Sequence, residues 1–383
     1  MLTGLVPGLH VNNIVVLLVS ASALLLERFE LWSLLSFIVA LSVTHSFVNY
    51  IPAILLGAPQ EDNVLAALPG HRLLREGRGY EAIRLTVLGG LGASLLSVLV
   101  LPPLFLSLPR VYPVLREHIP VLLSLVLLYL IWIEKSPIYA ALVVVYSGAL
   151  GYLILNYPLL PPHYALFPAL SGFFGIATLL TSLHTRSSLP EQSLEHTGGY
   201  YPAGILAGGL GGIVAGLLPG IGSAQSAMLV QGFLGRRSGR EFLVAHGGVN
   251  TAAAIFALLA LYLIGNPRSG ASVAAAQLMD EPGFSELLLM LGVALLASAI
   301  SAVVTLLIAR RAIGRLREVS YARLSAGVLL FLAASILALT GIYGAIVAAT
   351  ATAIGLLAAY SGVNRSHCMG VLILPTIFYF LGV

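Results

Sequence analysis

The sequence predicts an all-α integral membrane protein with about 10–13 transmembrane or re-entrant helices in two inverted-topology repeats, the helices broken at Pro-Gly and Gly-x-Pro motifs. Three observations predict it. Of 383 residues, 58% are hydrophobic and 9% charged, with a mean hydropathy of +0.99, whereas an ordinary soluble domain carries about a quarter charged residues. Short motifs recur in the same order in each half. The basic residues of successive loops alternate in opposite phase between the halves.

Such a composition excludes a soluble enzyme, a disordered linker and a nucleic-acid binder. The lone Cys368 excludes a disulfide scaffold. The excess of 19 Lys and Arg over 15 Asp and Glu reports loop orientation first, because basic loops stay on the cytoplasmic side. The start, MLTGLVPGLH, has neither a basic leader nor a small-residue cleavage site. The first apolar run is therefore expected to remain in the mature protein.

Apolar segments fall near 11–26, 31–56, 83–108, 119–133, 137–155 and 164–183, then near 202–218, 220–235, 241–265, 285–308, 325–341, 343–360 and 368–382. Lipid forces each to satisfy its own backbone, so each is expected to be helical. The organisation expected is a first repeat plus extra helices over 1–183, a polar linker over 184–201, and a second repeat plus C-terminal helices over 202–383. Basic clusters at Arg72, Arg75, Arg78 and Arg84, at Arg236, Arg237 and Arg240, and at Arg310 to Arg323 place those loops in the cytoplasm, as does the lone Arg365. The loops around Glu27 to Glu30 and Asp280 to Gly283 are expected on the other side.

T-G-L-V-P-G-L-H at Thr3 to His10 matches A-G-L-L-P-G-I-G at Ala215 to Gly222, and A-I-L-L-G-A-P at Ala53 to Pro59 matches L-Y-L-I-G-N-P at Leu261 to Pro267. Two ordered matches at nearly the same offset argue for duplication. Loops 24–30, 70–84 and 109–118 hold 1, 4 and 2 basic residues, while loops 236–240, 267–284 and 310–323 hold 3, 1 and 5. Copies inserted upside down relative to each other produce that alternation, and it is the design of alternating-access carriers.

The interruptions are the candidate binding elements. Pro7-Gly8 and Pro219-Gly220 each start a new helix whose free N–H groups attract an anion. Asn12 and Asn13 follow the first, and Ser223, Gln225 and Ser226 the second. Gly57 and Pro59, and Gly265, Asn266 and Pro267, interrupt segments too long for one straight span. At membrane depth Arg268, with Ser269 beside it, would pair with a substrate carboxylate. Glu61, Asp62 and Asn63 would hold Na+ or a proton, the coupling ion being the one cofactor expected. At the water interface the same charges are ordinary solvated caps. Asn250 and Thr251, in an Ala-rich stretch, either line a cavity or bond neighbouring helices, as does Ser42 to His45. The small residues of Gly89 to Ser94, Ala207 to Gly216 and Ala348 to Ala353 are expected at close helix contacts.

The competing class is an intramembrane lipid-modifying enzyme, or a membrane scaffold without transport. Its usual motifs are missing: no H-E-x-x-H, no G-x-G-D and no Walker sequence occurs. His367 beside Cys368 reads as loop packing. The expectation is therefore a non-enzyme.

The residues P-A-I-L-L-G-A-P, A-L-P-G-H-R-L-L-R-E-G-R-G-Y-E-A (Ala67 to Ala82), G-L-L-P-G-I-G and N-R-S-H-C-M-G-V-L-I-L-P-T (Asn364 to Thr376) resemble the large membrane subunit, TctA type, of the tripartite tricarboxylate transporters. The resemblance runs over nearly the whole chain. It implies a prokaryotic cytoplasmic-membrane permease for a di- or tricarboxylate, cation-coupled. It also implies a small four-helix membrane subunit and an extracytoplasmic solute-binding protein as partners, with lipid around it and no nucleic acid; a homo-oligomer is a further expectation. Two departures stand out. Pro7 lies almost at the start, so the first copy is expected to be shorter at its front, and Thr44 to Tyr50 replaces a Gly- and Ser/Thr-rich stretch next to the presumed cavity.

Overall fold

The computed structural model describes residues 1–6, 11–56, 62–157, 160, 165–183, 190–195, 198–218, 221–234, 239–279, 282–315 and 321–382. Among them no strand forms. The helices in chain order are α1 (Leu2–Leu5), α2 (Val11–Ser20), α3 (Ser22–Leu26), α4 (Leu31–Val48), α5 (Tyr50–Leu55), α6 (Val64–Arg75), α7 (Gly79–Glu117), α8 (Ile119–Trp132) and α9 (Pro137–Asn156). Then come α10 (Leu166–Leu170), a π-helical segment Ser171–Ile176, α11 (Ala177–Leu183), α12 (Pro202–Leu217), α13 (Ser223–Leu234), α14 (Gly239–Ile264), α15 (Gly270–Leu278), α16 (Phe284–Arg315) and α17 (Tyr321–Tyr360). A 3₁₀ turn, Arg365–Met369, and α18 (Gly370–Leu381) complete the described chain.

Among the described residues six helical runs are long and apolar enough to cross a membrane: Leu31–Leu55, Gly79–Val114, Pro137–Asn156, Gly239–Ile264, Phe284–Gly314 and Leu329–Tyr360. Their outer faces carry large apolar side chains in the open, including Leu99, Leu106, Val145, Leu296, Val303 and Leu330. Water would not tolerate that surface; hydrocarbon does.

The element order repeats. In each half a Pro-Gly motif precedes a short helix (α2, α13), a full span ends at a Gly-x-Pro motif (α4–α5, α14), and a short helix (α6, α15) leads to a long one (α7, α16). Corresponding spans run antiparallel. Ser46 meets Thr251 and Tyr50 meets His246 across α4–α5 and α14. Ser94 meets Ser298 and Phe105 meets Phe284 across α7 and α16. The exchange is reciprocal: α2 packs on α15 through Val11, Val15, Ala271 and Ala274, and α13 packs on α6 in the cluster that holds Leu65, Ala224 and Ala227.

α7 and α14 lie parallel and very close, because Gly89 and Gly247 allow it. A Cβ on Gly89 would collide with the Val244 carbonyl, and one on Gly247 with the Thr86 carbonyl. At their shared N-terminal end the buried Glu81 carboxylate accepts from Arg240, Nε to Oε1 at 2.8 Å, and pairs with Arg78. Since α16 runs antiparallel to α7, its Arg310, Arg311 and Arg315 lie at this same end, with Arg72, Arg75 and Arg78. Glu27 to Glu30 and the connection from α14 to α16 lie at the other.

Two apolar cores result, and neither follows the order of the chain. One joins α4 to α7 with α14 and α16. The other joins α8 to α10 with α13, α17 and α18. The described part of the linker docks on the α6–α7 turn: Gln192 Oε1 accepts from Gly79 N at 3.0 Å, its Nε2 donates to the Leu74 carbonyl at 2.9 Å, and Ser193 N donates to the Gly77 carbonyl at 2.8 Å.

Boundaries differ from the sequence reading in three places. Residues 109–117 continue α7 rather than forming a loop, although Pro102, Pro103, Pro109 and Pro113 lie inside it; proline is tolerated in membrane helices where neighbours re-satisfy the freed carbonyls. Residues 310–315 likewise extend α16. Residues 64–75, read partly as the tail of an interrupted span and partly as the basic loop 70–84, form a separate short helix, as do 270–278, read as the tail of the second interrupted span. The expected break between 341 and 343 is present as Gly341, whose φ of 62° interrupts α17.

Candidate functional site

Pro7, Gly8, Gly57, Pro59, Glu61, Pro219 and Gly220 lie outside the described residues, as do the side chains of Asn12, Asn13 and Gln225. The remaining candidates separate into two groups.

The first group sits where broken elements of both halves meet α14. Asn49, at the joint between α4 and α5, donates from Nδ2 to Asp62 Oδ2 at 2.9 Å, and its carbonyl accepts from Asn63 Nδ2 at 2.9 Å. These bonds tie the residues after the first Gly-x-Pro motif back to the span before it. On α14, His246 and Asn250 are one helical turn apart and share a face. His246 Nδ1 lies 2.8 Å from the Tyr50 hydroxyl, which also donates to the His246 carbonyl at 3.1 Å. Ser223, the first residue of α13, donates to Asn250 Oδ1 at 3.3 Å, so the helix that starts after Pro219-Gly220 begins at this cluster. Next to it, Thr251 Oγ1 and Ser46 Oγ are 3.2 Å apart. His246, Asn49, Asn63 and Thr251 are all at 0% exposure.

The second group is the 265–269 break. α14 ends at Ile264, and Gly265 turns the chain with φ of 61°, a conformation that suits glycine. Asn266 Nδ2 donates to the Tyr112 hydroxyl at 2.9 Å; the Arg268 guanidinium donates to the same oxygen and lies over the Tyr112 ring, 5.9 Å from its centroid. Ser269 caps α15 in a reciprocal pair with Ser272. Pro267 adds no donor. From Asn250, near the middle of α14, to the end of the helix is roughly 20 Å at 1.5 Å per residue, so Arg268 is remote from the first group.

His246 of the first group was not singled out from sequence, nor was Tyr112 of the second; Asn49 and Tyr50 were named only as members of the 44–50 stretch beside the presumed cavity. The usable signal for His246 is its place four residues before Asn250 on the same face of a Gly- and Ala-rich helix. Nothing local marks Tyr50, whose partner is 196 residues away. The polar residues of α4 bond neighbouring helices: Thr44 accepts from Ser301 at 2.9 Å, and His45 Nδ1 is 3.2 Å from Thr3 Oγ1.

The uncharacterized protein MJ1079 of Methanocaldococcus jannaschii is 33% identical over 396 residues, covering 99% of this chain and 96% of that protein. No solved structure matches the chain. The family model described as the tripartite tricarboxylate transporter TctA family matches residues 1–370, and a match of that extent settles membership: the chain belongs to the TctA family.

Proposed function

We propose that the chain is the translocating permease of the cytoplasmic membrane, moving a di- or tricarboxylate with Na+ or H+ by alternating access of two oppositely oriented halves. Family membership makes it a secondary-transporter component of tricarboxylate transport and a multi-pass membrane protein. The observation that carries the finer reading is the antiparallel pairing of corresponding spans around a buried polar cluster to which both halves contribute. Two halves related in this way exchange conformations and open a shared site to one side and then the other. The helix that starts at Ser223 and the Asn250 amide supply N–H donors for a carboxylate. Asp62 and Asn63 are the ion-coupling residues of this reading, and Arg268 is the anion-attracting group at the opposite end. A small four-helix membrane subunit and an extracytoplasmic binding protein are its proposed partners, and transport without catalysis its proposed activity.

Counterflow of labelled citrate in proteoliposomes of the full chain tests the reading. Exchange that depends on unlabelled citrate inside is expected. Chemical conversion of lipid without flux would overturn it in favour of a lipid-modifying enzyme.

A further inference from the structure

Four polar atoms of the central cluster are buried and without a hydrogen-bond partner: Asn49 Oδ1, Asp62 Oδ1, His246 Nε2 and Asn250 Nδ2. Each such atom costs about 1–3 kcal/mol, so four together mark a place built for an occupant. The charge of the cluster selects its kind. No ion pair among the described residues includes Asp62; its partner is the neutral Asn49 amide. A carboxylate oxygen left unbonded beside that neutral amide is a place for a cation or a proton.

The ring of His246 is held for the second option. Its edges meet Tyr50 and Phe242 in T-shaped contacts, with centroids 5.9 and 5.7 Å away. With the single Tyr50 hydroxyl proton assigned to the His246 carbonyl, Nδ1–H donates to the tyrosine oxygen and Nε2 is a bare lone pair. Asp62 lies within coulombic range of both this ring and the Tyr50 hydroxyl.

The other charged groups on elements packed against α14 are accounted for. On α7 Glu81 is engaged by Arg78 and Arg240, Arg84 follows one turn on, and Arg110, bonded to the Leu106 carbonyl, and Glu117 lie toward the far end. On α6 His71 bonds the Ile54 carbonyl beside Arg72 and Arg75. On α4 His45 bonds Thr3. On α16 Glu286 and Arg310 to Arg315 lie near the helix ends. Glu241 is on the first turn of α14 itself, and α12, α13 and α15 contribute no titratable side chain.

We propose that Asp62 and His246 together bind one exchangeable proton, with Tyr50 and Asn49 as positioning residues, and that this proton is the coupling cation. The proton adds to the Nε2 lone pair or to Asp62 Oδ1, no other bond breaks, and the pair passes from one negative charge to neutral. The coupling role rests on the carrier reading above; the proton site does not.

The test needs no transport. Full-length protein in lipid nanodiscs is titrated with acid and followed by infrared difference spectroscopy of the carboxyl and imidazole bands. A proton-binding step is expected in the parent, absent from Asp62→Asn and from His246→Gln, with the double variant losing nothing further. Tyr50→Phe keeps the step and moves its midpoint. Should His246→Gln fail to fold, Asp62→Asn and Tyr50→Phe carry the same comparison. A step unchanged in Asp62→Asn, two independent steps lost additively, or no step at all, as a cluster filled only by water would give, overturns the proposal. A chain that shows the step and carries no citrate would leave the proton site standing and remove the carrier reading instead.

Discussion

Arg268 and Glu81 show how differently two charges are used in one chain. The Arg268 guanidinium lies over an aromatic ring and donates to its hydroxyl, which holds the group in place. A cation fixed beyond the end of α14 suits the anion-attracting role proposed for it. Arg268→Gln is therefore expected to raise the KM for citrate at least tenfold, about 1.4 kcal/mol of binding, with the melting temperature unchanged; an unchanged KM would take Arg268 out of the site. Glu81, by contrast, is buried between two arginines drawn from both halves. Removing its charge leaves them facing each other. Glu81→Gln is expected to destabilise the fold by about 3 kcal/mol, seen as an earlier thermal transition in detergent, while an unaltered transition would mean the pair contributes nothing. Residues of this kind were only half legible from sequence. Asp62, Asn250 and Arg268 stood out as polar groups beside glycine and proline in apolar surroundings. His246 did not, and Tyr50 did only as the end of the 44–50 stretch, because what makes them a unit is a contact across 196 positions, which no local pattern encodes.

At the scale of elements, the long spans were legible because a bilayer imposes one simple rule, an apolar run of about 20 residues. The short helices α6 and α15 obey no such rule. α6 carries Pro69, Arg72 and Arg75 and α15 is small and polar in part, so their helicity comes from packing, α6 against α5, α7 and α14 and α15 against α2 and α4, rather than from pattern. Prolines misled in the opposite direction, since those of α7 sit inside a helix. Glycines divide into two uses, and substitution separates them. Gly265 has a positive φ and open space around the position of a Cβ, so Gly265→Ala is expected to cost about 1–2 kcal/mol through backbone strain alone. Gly89 has an ordinary helical backbone with the Val244 carbonyl pressed against it. Gly89→Leu is expected to push α7 from α14 and to abolish the monodisperse species in size-exclusion chromatography. Equal behaviour of the two variants would contradict the distinction.

Over the whole molecule, spans that match in motif order run antiparallel to each other. Arg72, Arg75, Arg78, Arg240, Arg310 and Arg311 lie at the end where Glu81 ties α7 to α14, and the 27–30 turn lies at the other. Because α2 packs on α15 and α13 on α6, the proposed site draws on segments from both ends of the chain. What the sequence did not reveal is that the additional helices, α8 to α10 with α17 and α18, pack into a second core shared with residues of α6, α13 and α14. Their association joins segments far apart in the chain and leaves no periodic trace.

The central claim is that the polar cluster at the start of α13 is reached from each side of the membrane in turn. Cys368 is buried and is the one cysteine in the chain, so Ser223→Cys in a Cys368→Ser background gives a single reporter thiol at that place. Labelling it with a membrane-impermeant thiol reagent in right-side-out and in inside-out vesicles is the most direct measurement. Modification from both faces, slowed in each case by citrate, is predicted; modification from one face alone, indifferent to citrate, would contradict the account.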